Sequence, residues 1–419
     1  MIGIEEAQRT ILAYIPQLET EKVTVFQGLN RITPEDHIAP WDIPPADNSA
    51  MDGYAFCYTA KGCDRLRVTG FLPAGVARSV PVPAGEAVKI MTGAPLPPGC
   101  DTVVPIEDVE LAGEWIKLAS SVTPGGHVRK RGEDIQSGNT VISAGSLLRP
   151  QEIGMLSAMG TTSVAVHRQA RIAILSTGDE LLEPGSTPAP GKIINSNSYT
   201  LAAQVLDAGG APVLLGIAPD TLEGTCEKIR AGMNADFLVI TGGVSVGDRD
   251  FVKLAIEKLG GSITFWKVNM KPGKPLAFAV LEGKPVFALP GNPVAAMVSF
   301  ELFVRPSILK AMGHLRVLRP KVMALLQEEA SNHGTRPHLL RGIVSKNGAC
   351  FHVSTTGNQS SGRLSSLIQG NGLIRLAPES SLSPGDAVEV LLLDRGFEMG
   401  AVQQIEKPEK TSQRFPFHR

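Results

Sequence analysis

Short apolar runs, each cut off by a polar turn containing glycine, recur through the middle of the chain, and the segments between them carry apolar residues at helical spacing. Phe237-Leu238-Val239-Ile240 is the sharpest of these runs. It reads as a buried strand and stops at Thr241-Gly242-Gly243, where the backbone turns freely. Ser245, Gly247 and Asp248 follow, and Asp250 stands at the N-cap position of a helix carrying Phe251, Leu254, Ala255 and Lys258. Arg171 to Leu175 is a second strand of this kind, ending in Ser176-Thr177-Gly178-Asp179-Glu180-Leu181. Asn197 to Leu206 reads as a helix closed by Gly209-Gly210, Pro212 to Ile217 as a strand, and Asp220-Thr221 as the cap of a helix reaching Met233. Ile263 to Val268 and Val286 to Leu289 add strands, and Val294 to Leu309 a buried helix kinked at Pro306. This alternation predicts a doubly wound, mostly parallel sheet over 171–319 with right-handed crossovers. In such sheets ligands collect at the carboxyl ends of the strands, where the polar turns lie.

The flanking sequence has a different texture. Over 46–140, Leu66-Arg67-Val68, Ala87 to Met91, Thr102-Val103-Val104 and Thr140-Val141-Ile142 are short strand candidates divided by Gly/Pro turns, which predicts a β module. A small β domain is expected over 320–396, from Val322 to Leu326, Leu339 to Val344, Leu373 to Leu376 and Ala387 to Leu393. Residues 1–45 and 141–170 read as a helical and extended linker domain. It opens with an amphipathic helix from Ile4 to Ile15, has Val23, Val25 and Ile32 as extended positions, and carries a helix near Gln151 to Met159. Residues 397–419 are polar with little periodicity and read as a flexible tail. The fold class is therefore α/β plus β, in several domains.

Composition narrows the partners. Lys and Arg number 40 against 41 Asp and Glu, a net charge of -1, so bulk charge points to no nucleic-acid partner. The five cysteines are scattered without a C-x-x-C pair, which predicts reduced thiols and neither a disulfide framework nor a thiolate metal site. The opening MIGIEEAQRTILAYI lacks the basic and apolar regions of a signal peptide, and no apolar run approaches the ~20 residues of a membrane span. A cytoplasmic protein with no membrane contact is the expectation.

Candidate chemistry is rich in oxygen. Walker, dinucleotide-binding and H-E-x-x-H patterns are all absent from the sequence. Glu180, Asp220 and Asp248 fall in expected loops of one sheet, and Asp52 and Asp134 in the β module. Such carboxylates suit Mg²⁺ and, through it, phosphate oxygens. Lys271 and Lys274, on the stiff loop Met270-Lys271-Pro272-Gly273-Lys274-Pro275, would neutralise an anion. The same acids are equally compatible with separate surface carboxylates, since spacing alone does not bring them together.

Seven blocks in order carry a resemblance: DNSAMDGYA (Asp47 to Ala55), IMTGAPLPPGCDTVVPIED (Ile90 to Asp108), RGEDI (Arg131 to Ile135), LSTGDEL (Leu175 to Leu181), ITGGVSVGDRD (Ile240 to Asp250), MKPGKP (Met270 to Pro275) and LPGNPVA (Leu289 to Ala295). Together they resemble the molybdopterin molybdenumtransferase family, MoeA and the gephyrin E domain. The resemblance implies Mg²⁺-dependent transfer of molybdenum from molybdate to adenylylated molybdopterin with release of AMP. It also implies a homodimer whose site is shared between subunits, with the molybdopterin adenylyltransferase as a further expected partner. Carried over by motif, Asp52, Thr92, Asp134, Glu180 and Asp248 are the implied catalytic residues, and Glu180, Asp220 and Asp248 the implied metal ligands. Gly242, Gly243, Ser245, Lys271, Lys274, Pro290, Asn292, Arg341 and Ser361 are the implied substrate and anion contacts. The carboxyl-terminal loop departs from the family pattern, with Asn358 and Ser360 where His and Gly are expected.

Overall fold

The computed structural model describes residues 1–59, 64–118, 122–244 and 251–393. Ser245, Gly247, Asp248, Asp250 and the expected tail over 397–419 lie outside the described residues. The chain forms two compact units, one of Glu19–His167 and one of Met1–Leu18 with Arg168 onward.

In the first unit a six-stranded sheet runs in the order Thr102–Pro105, Gly53–Phe56, Glu86–Ile90, Arg65–Leu72, Trp115–Leu118, Val109–Ala112. Alternation along its strands separates two cores. Tyr54, Phe56, Ala87 and Val104 enter one, while Ala55, Val88, Ile90 and Val103 enter the other. Two expectations need correction. Thr140–Ile142 does not join this sheet but pairs antiparallel with His37–Ile38, because those residues meet beside the helix Pro150–Ala158 and the Thr20–Thr24/Ser163–His167 ladder. Val25 is not extended: it has φ -51 and ψ -43 and leads into a one-turn helix at Phe26–Gly28.

The second unit is built on a six-stranded sheet ordered Ala211–Ala218, Arg171–Thr177, Phe237–Thr241, Lys284–Leu289, Ala277–Leu281, Ser262–Trp266. The first four strands are parallel, and the last two add on antiparallel. The run LAFAVL hides the Ala277–Leu281 strand behind a proline loop, and it turns back through Glu282 and Gly283, both at positive φ. One face of the sheet, with Ile172, Ile174, Val239 and Phe287, packs against the helices Ile4–Ala13 and Asn197–Asp207 and the segment 293–311. The other, with Ala173, Leu175, Leu238 and Ile240, packs against Leu222–Gly232 and Phe251–Lys258.

The expected single helix over 294–309 is instead two helices, Pro293–Ser299 and Arg305–Ala311, joined by a π-helical turn at Phe300–Val304. Pro306 has no N–H for the Leu302 carbonyl four residues back. The helix widens before the proline so that Arg305 N–H reaches the Phe300 carbonyl, and Gln8 Nε2 donates to the Leu302 carbonyl at 3.0 Å. A closed barrel, Lys321–Leu326, Cys350–Thr355, His338–Asn347, Gly372–Leu376 and Ala387–Leu392, completes the unit.

Candidate functional site

Three glycine turns at the carboxyl ends of the parallel strands make the wall of one cavity, of about 500 Å³. Glu180, Asp220, Gly242, Gly243, Pro290 and Asn292 all line it, so the structure gathers these six predicted residues. Gly178 has φ 136, and a Cβ on it would lie 2.5 Å from Glu180 Oε2, so only glycine lets the Glu180 carboxylate fold back over the turn. Asp220 is fixed by an exchange with its neighbouring acid: Asp179 N–H donates to Asp220 Oδ2 at 3.2 Å, and Asp220 N–H to Asp179 Oδ1 at 3.1 Å. Gly242 and Gly243, at φ 93 and 62, pack against Thr177, where a Cβ on either would come within 2.9 Å of the hydroxyl. That buried hydroxyl has no hydrogen-bond partner among the described residues, so the wall retains a polar atom for a bound molecule.

Behind the wall, side chains that the sequence reading missed hold the loops together. Asn197 Nδ2 donates to Thr241 Oγ1 at 2.9 Å and to the Gly291 carbonyl at 2.7 Å, tying the helix start to two strand ends. Thr241 Oγ1 in turn donates to the Pro290 carbonyl at 3.1 Å. Ser176, Asn195 and Ser198 form a buried hydroxyl and amide network beneath them. The run Asn195-Ser196-Asn197-Ser198 was the available signal.

A second cavity, of about 690 Å³, is lined by Lys271, Lys274, Arg336 and His338, and by Asn358 to Ser361 of the barrel. Pro275, Pro290 and Asn292 line both cavities, so the carboxylate-bearing space and the cationic one share a wall. Among the described residues neither lysine ammonium has a protein partner, whereas Arg336 Nη1 donates to the Met270 carbonyl at 3.1 Å. Ser361 lines the cavity, and its carbonyl accepts from Val294 N–H at 3.3 Å.

Arg341 takes a different place from the one its motif suggests. It is 0% exposed and lies behind the loop, where Nε donates to Ser366 Oγ at 3.0 Å and Nη2 to the Ser360 carbonyl at 3.1 Å. Nη1 has no partner. Gln359 clamps the Arg341 backbone from both sides, accepting from its N–H at 2.8 Å and donating to its carbonyl at 3.1 Å. Burial lowers the guanidinium's pKa from its ordinary value.

In the other unit, hydrogen bonds bring the loops holding Asp52, Thr92 and Asp134 to one end of the sheet. Gly93 N–H donates to the Ser49 carbonyl at 2.8 Å, and Lys130 Nζ to Asp47 Oδ2 at 2.9 Å. Asp52 accepts from both the hydroxyl and the N–H of Thr92, each at 2.7 Å, and these two bonds, the hydroxyl first, hold its carboxyl below the usual range. Asp134 is exposed, with its N–H on the Ile43 carbonyl at 3.1 Å.

Matches to family models cover nearly all of this architecture: the MoeA N-terminal region over residues 2–160, a probable molybdopterin-binding domain over 173–310, and the MoeA C-terminal region over 324–393. The molybdopterin molybdenumtransferase of Haemophilus influenzae is 35% identical over 399 residues, 93% of this chain and 98% of that one. The chain belongs to the MoeA family. The family relative from Nostoc sp., also a molybdopterin molybdenumtransferase, is 36% identical over 416 residues, 94% of each chain. The crystal structure of the molybdopterin biosynthesis MoeA protein from Pyrococcus horikoshii OT3 superimposes with a TM-score of 0.79 at 30% identity, covering 94% of this chain and all of that one. The three matched segments thus contain the lining of both cavities and the Asp52 loops.

Proposed function

We propose that this chain is a molybdenum insertase of molybdenum cofactor biosynthesis, a transferase moving molybdenum from molybdate to adenylylated molybdopterin with release of AMP. The observation that carries the reading is the wall of Pro275, Pro290 and Asn292 shared by a carboxylate cavity and a lysine cavity. A substrate with a phosphoanhydride at one end and a molybdenum acceptor at the other needs both environments side by side. Lys271 and Lys274 are compact cations suited to molybdate oxygens. The Gly242-Gly243 turn and the Thr177 hydroxyl offer close polar approach to the pterin phosphate.

The first cavity suits Mg²⁺, because its donors are oxygens only and this ion is commonly held by one or two carboxylates with substrate phosphates and water. Glu180 and Asp220 would hold it, joined by Asp248 from the expected set. The ion would neutralise charge on the phosphoanhydride and favour departure of AMP. Asp52, Thr92 and Asp134 would complete the site from the partner of a cytoplasmic homodimer, Thr92 keeping Asp52 ionised.

The test is AMP release from adenylylated molybdopterin in Mg²⁺ buffer, with and without molybdate. Molybdate-dependent release that disappears in Asp248→Asn at unchanged melting temperature is expected. Tight pterin binding without release would make the chain a binding protein that kept the fold.

A further inference from the structure

His338 opens the barrel strand His338–Asn347 and is 93% buried, being only 7% exposed, yet it lines the lysine cavity with an Nε2 that has no hydrogen-bond partner among the described residues. Its place is set by the backbone: Lys271 N–H donates to the Pro337 carbonyl at 2.9 Å and Leu339 N–H to the Lys271 carbonyl at 2.7 Å, a bridge that pins His338 beside Lys271. Among the described residues the charges that face the ring are all positive. Lys271 comes from the proline loop, Arg336 and Arg341 from its own segment, and Lys274 shares the cavity. The opposing loop supplies Asn358, Gln359, Ser360 and Ser361, and among the described residues no carboxylate lines this cavity.

A buried imidazole among cations stays neutral, and the ring's pKa is pushed down to about 4, by burial first and then by Lys271, Arg341 and Arg336. A tetrahedral dianion between the lysines reverses that balance. It supplies an acceptor for Nε2 and a negative charge within reach of the ring, and both favour imidazolium. We infer that His338 is a proton-linked positioning residue of the oxyanion cavity, so that each dianion entering between Lys271, Lys274 and Arg336 brings one proton from solvent onto the imidazole. The proton returns to solvent when the anion leaves. This rests on the reading of the cavity as the molybdate site and adds to it a rule: capture is favoured by acid.

Calorimetric titration of the full chain with sodium molybdate, at pH 5.5 and 7.5 in buffers of contrasting ionisation heat, counts the proton directly. The expected result is uptake approaching one proton per site at pH 5.5 and an affinity weaker by about fivefold or more at pH 7.5, since a linked proton changes affinity by up to tenfold per pH unit. His338→Gln should bind without uptake. Histidine C2–H resonances of the wild type, free and with molybdate, give a second readout that needs no variant, one of eight histidines rising in pKa on binding. Binding with no buffer dependence, or uptake that survives in H338Q, overturns the role of His338 alone. Failure of the wild type to bind molybdate overturns the anion-site reading and this inference together.

Discussion

Thr92 and Asp52 are joined twice, by the threonine hydroxyl and by its backbone N–H, each at 2.7 Å from the same carboxylate oxygen. Both bonds favour the ionised acid, so its pKa lies below the ordinary value, and its charge is present above that value and lost as pH falls through the lowered one. Thr92→Val removes the hydroxyl bond and keeps the shape. The acid limb of the kcat/KM profile is expected to move to higher pH, with Tm unchanged. An unmoved limb would take Asp52 out of the ionisations that limit the reaction.

Gly178→Ala forces a Cβ into a φ of 136 and to 2.5 Å from the Glu180 carboxylate. A cost of about 1–3 kcal/mol from backbone strain is expected, with displacement of Glu180 and loss of turnover. Adding Glu180→Ala relieves the clash and not the strain, so the double variant should be more stable than the sum of the singles by roughly 0.5–3 kcal/mol. Additive melting data would show that the carboxylate does not occupy the turn.

Arg341 is a buried guanidinium whose bonds go to Ser366 Oγ and the Ser360 carbonyl, with no carboxylate partner among the described residues. Losing those charge-assisted bonds costs about 1.5–3 kcal/mol each, while removing an unpaired buried charge returns several kcal/mol, a comparable amount. Arg341→Met is therefore expected to melt within a few degrees of wild type, yet to show a smaller molybdate-induced rise in Tm because the Asn358–Ser361 loop loses its anchor. A large drop in Tm without ligand would make Arg341 a stabiliser of the barrel.

His338 also makes stability depend on pH. Its folded pKa of about 4 lies below the ordinary 6.5, so from the ordinary value down to about 4 the unfolded chain binds a proton that the folded one refuses. Stability must therefore fall as pH drops through that window, and His338→Gln should flatten the slope of Tm against pH between about 4.5 and 6.5. Molybdate should flatten it in the wild type as well.

The doubly wound sheet was legible because Phe237 to Ile240 and Arg171 to Leu175 are continuous apolar runs ending in glycine turns, a pattern that local physics produces unaided. Glu180 and Asp220 were legible as candidates by type and position. Their convergence was not, since Asp220 is oriented by Asp179 across two loops. Thr177 and Asn197 escaped notice because a small polar residue gains meaning only from neighbours on other strands. Likewise the placing of His338 depends on a bridge to Lys271, and the burial of Arg341 on the fold of the barrel. The π turn before Pro306 was signalled by the proline, but its form depends on Gln8 reaching the Leu302 carbonyl.

That reach has a consequence for how the molecule is made. The helix Ile4–Ala13 buries Ile4, Ala7 and Ile11 in the core of the second unit, and Gln8 meets a residue 294 positions later. At about 5–20 residues per second of synthesis, roughly 15–60 s separate the emergence of the two partners from the ribosome. For that interval the first helix is an amphipathic segment without its core, while residues 19–167 are already long enough to fold as their own unit. The helix Ile4–Ala13 is thus secured only after the core against which it packs has been made.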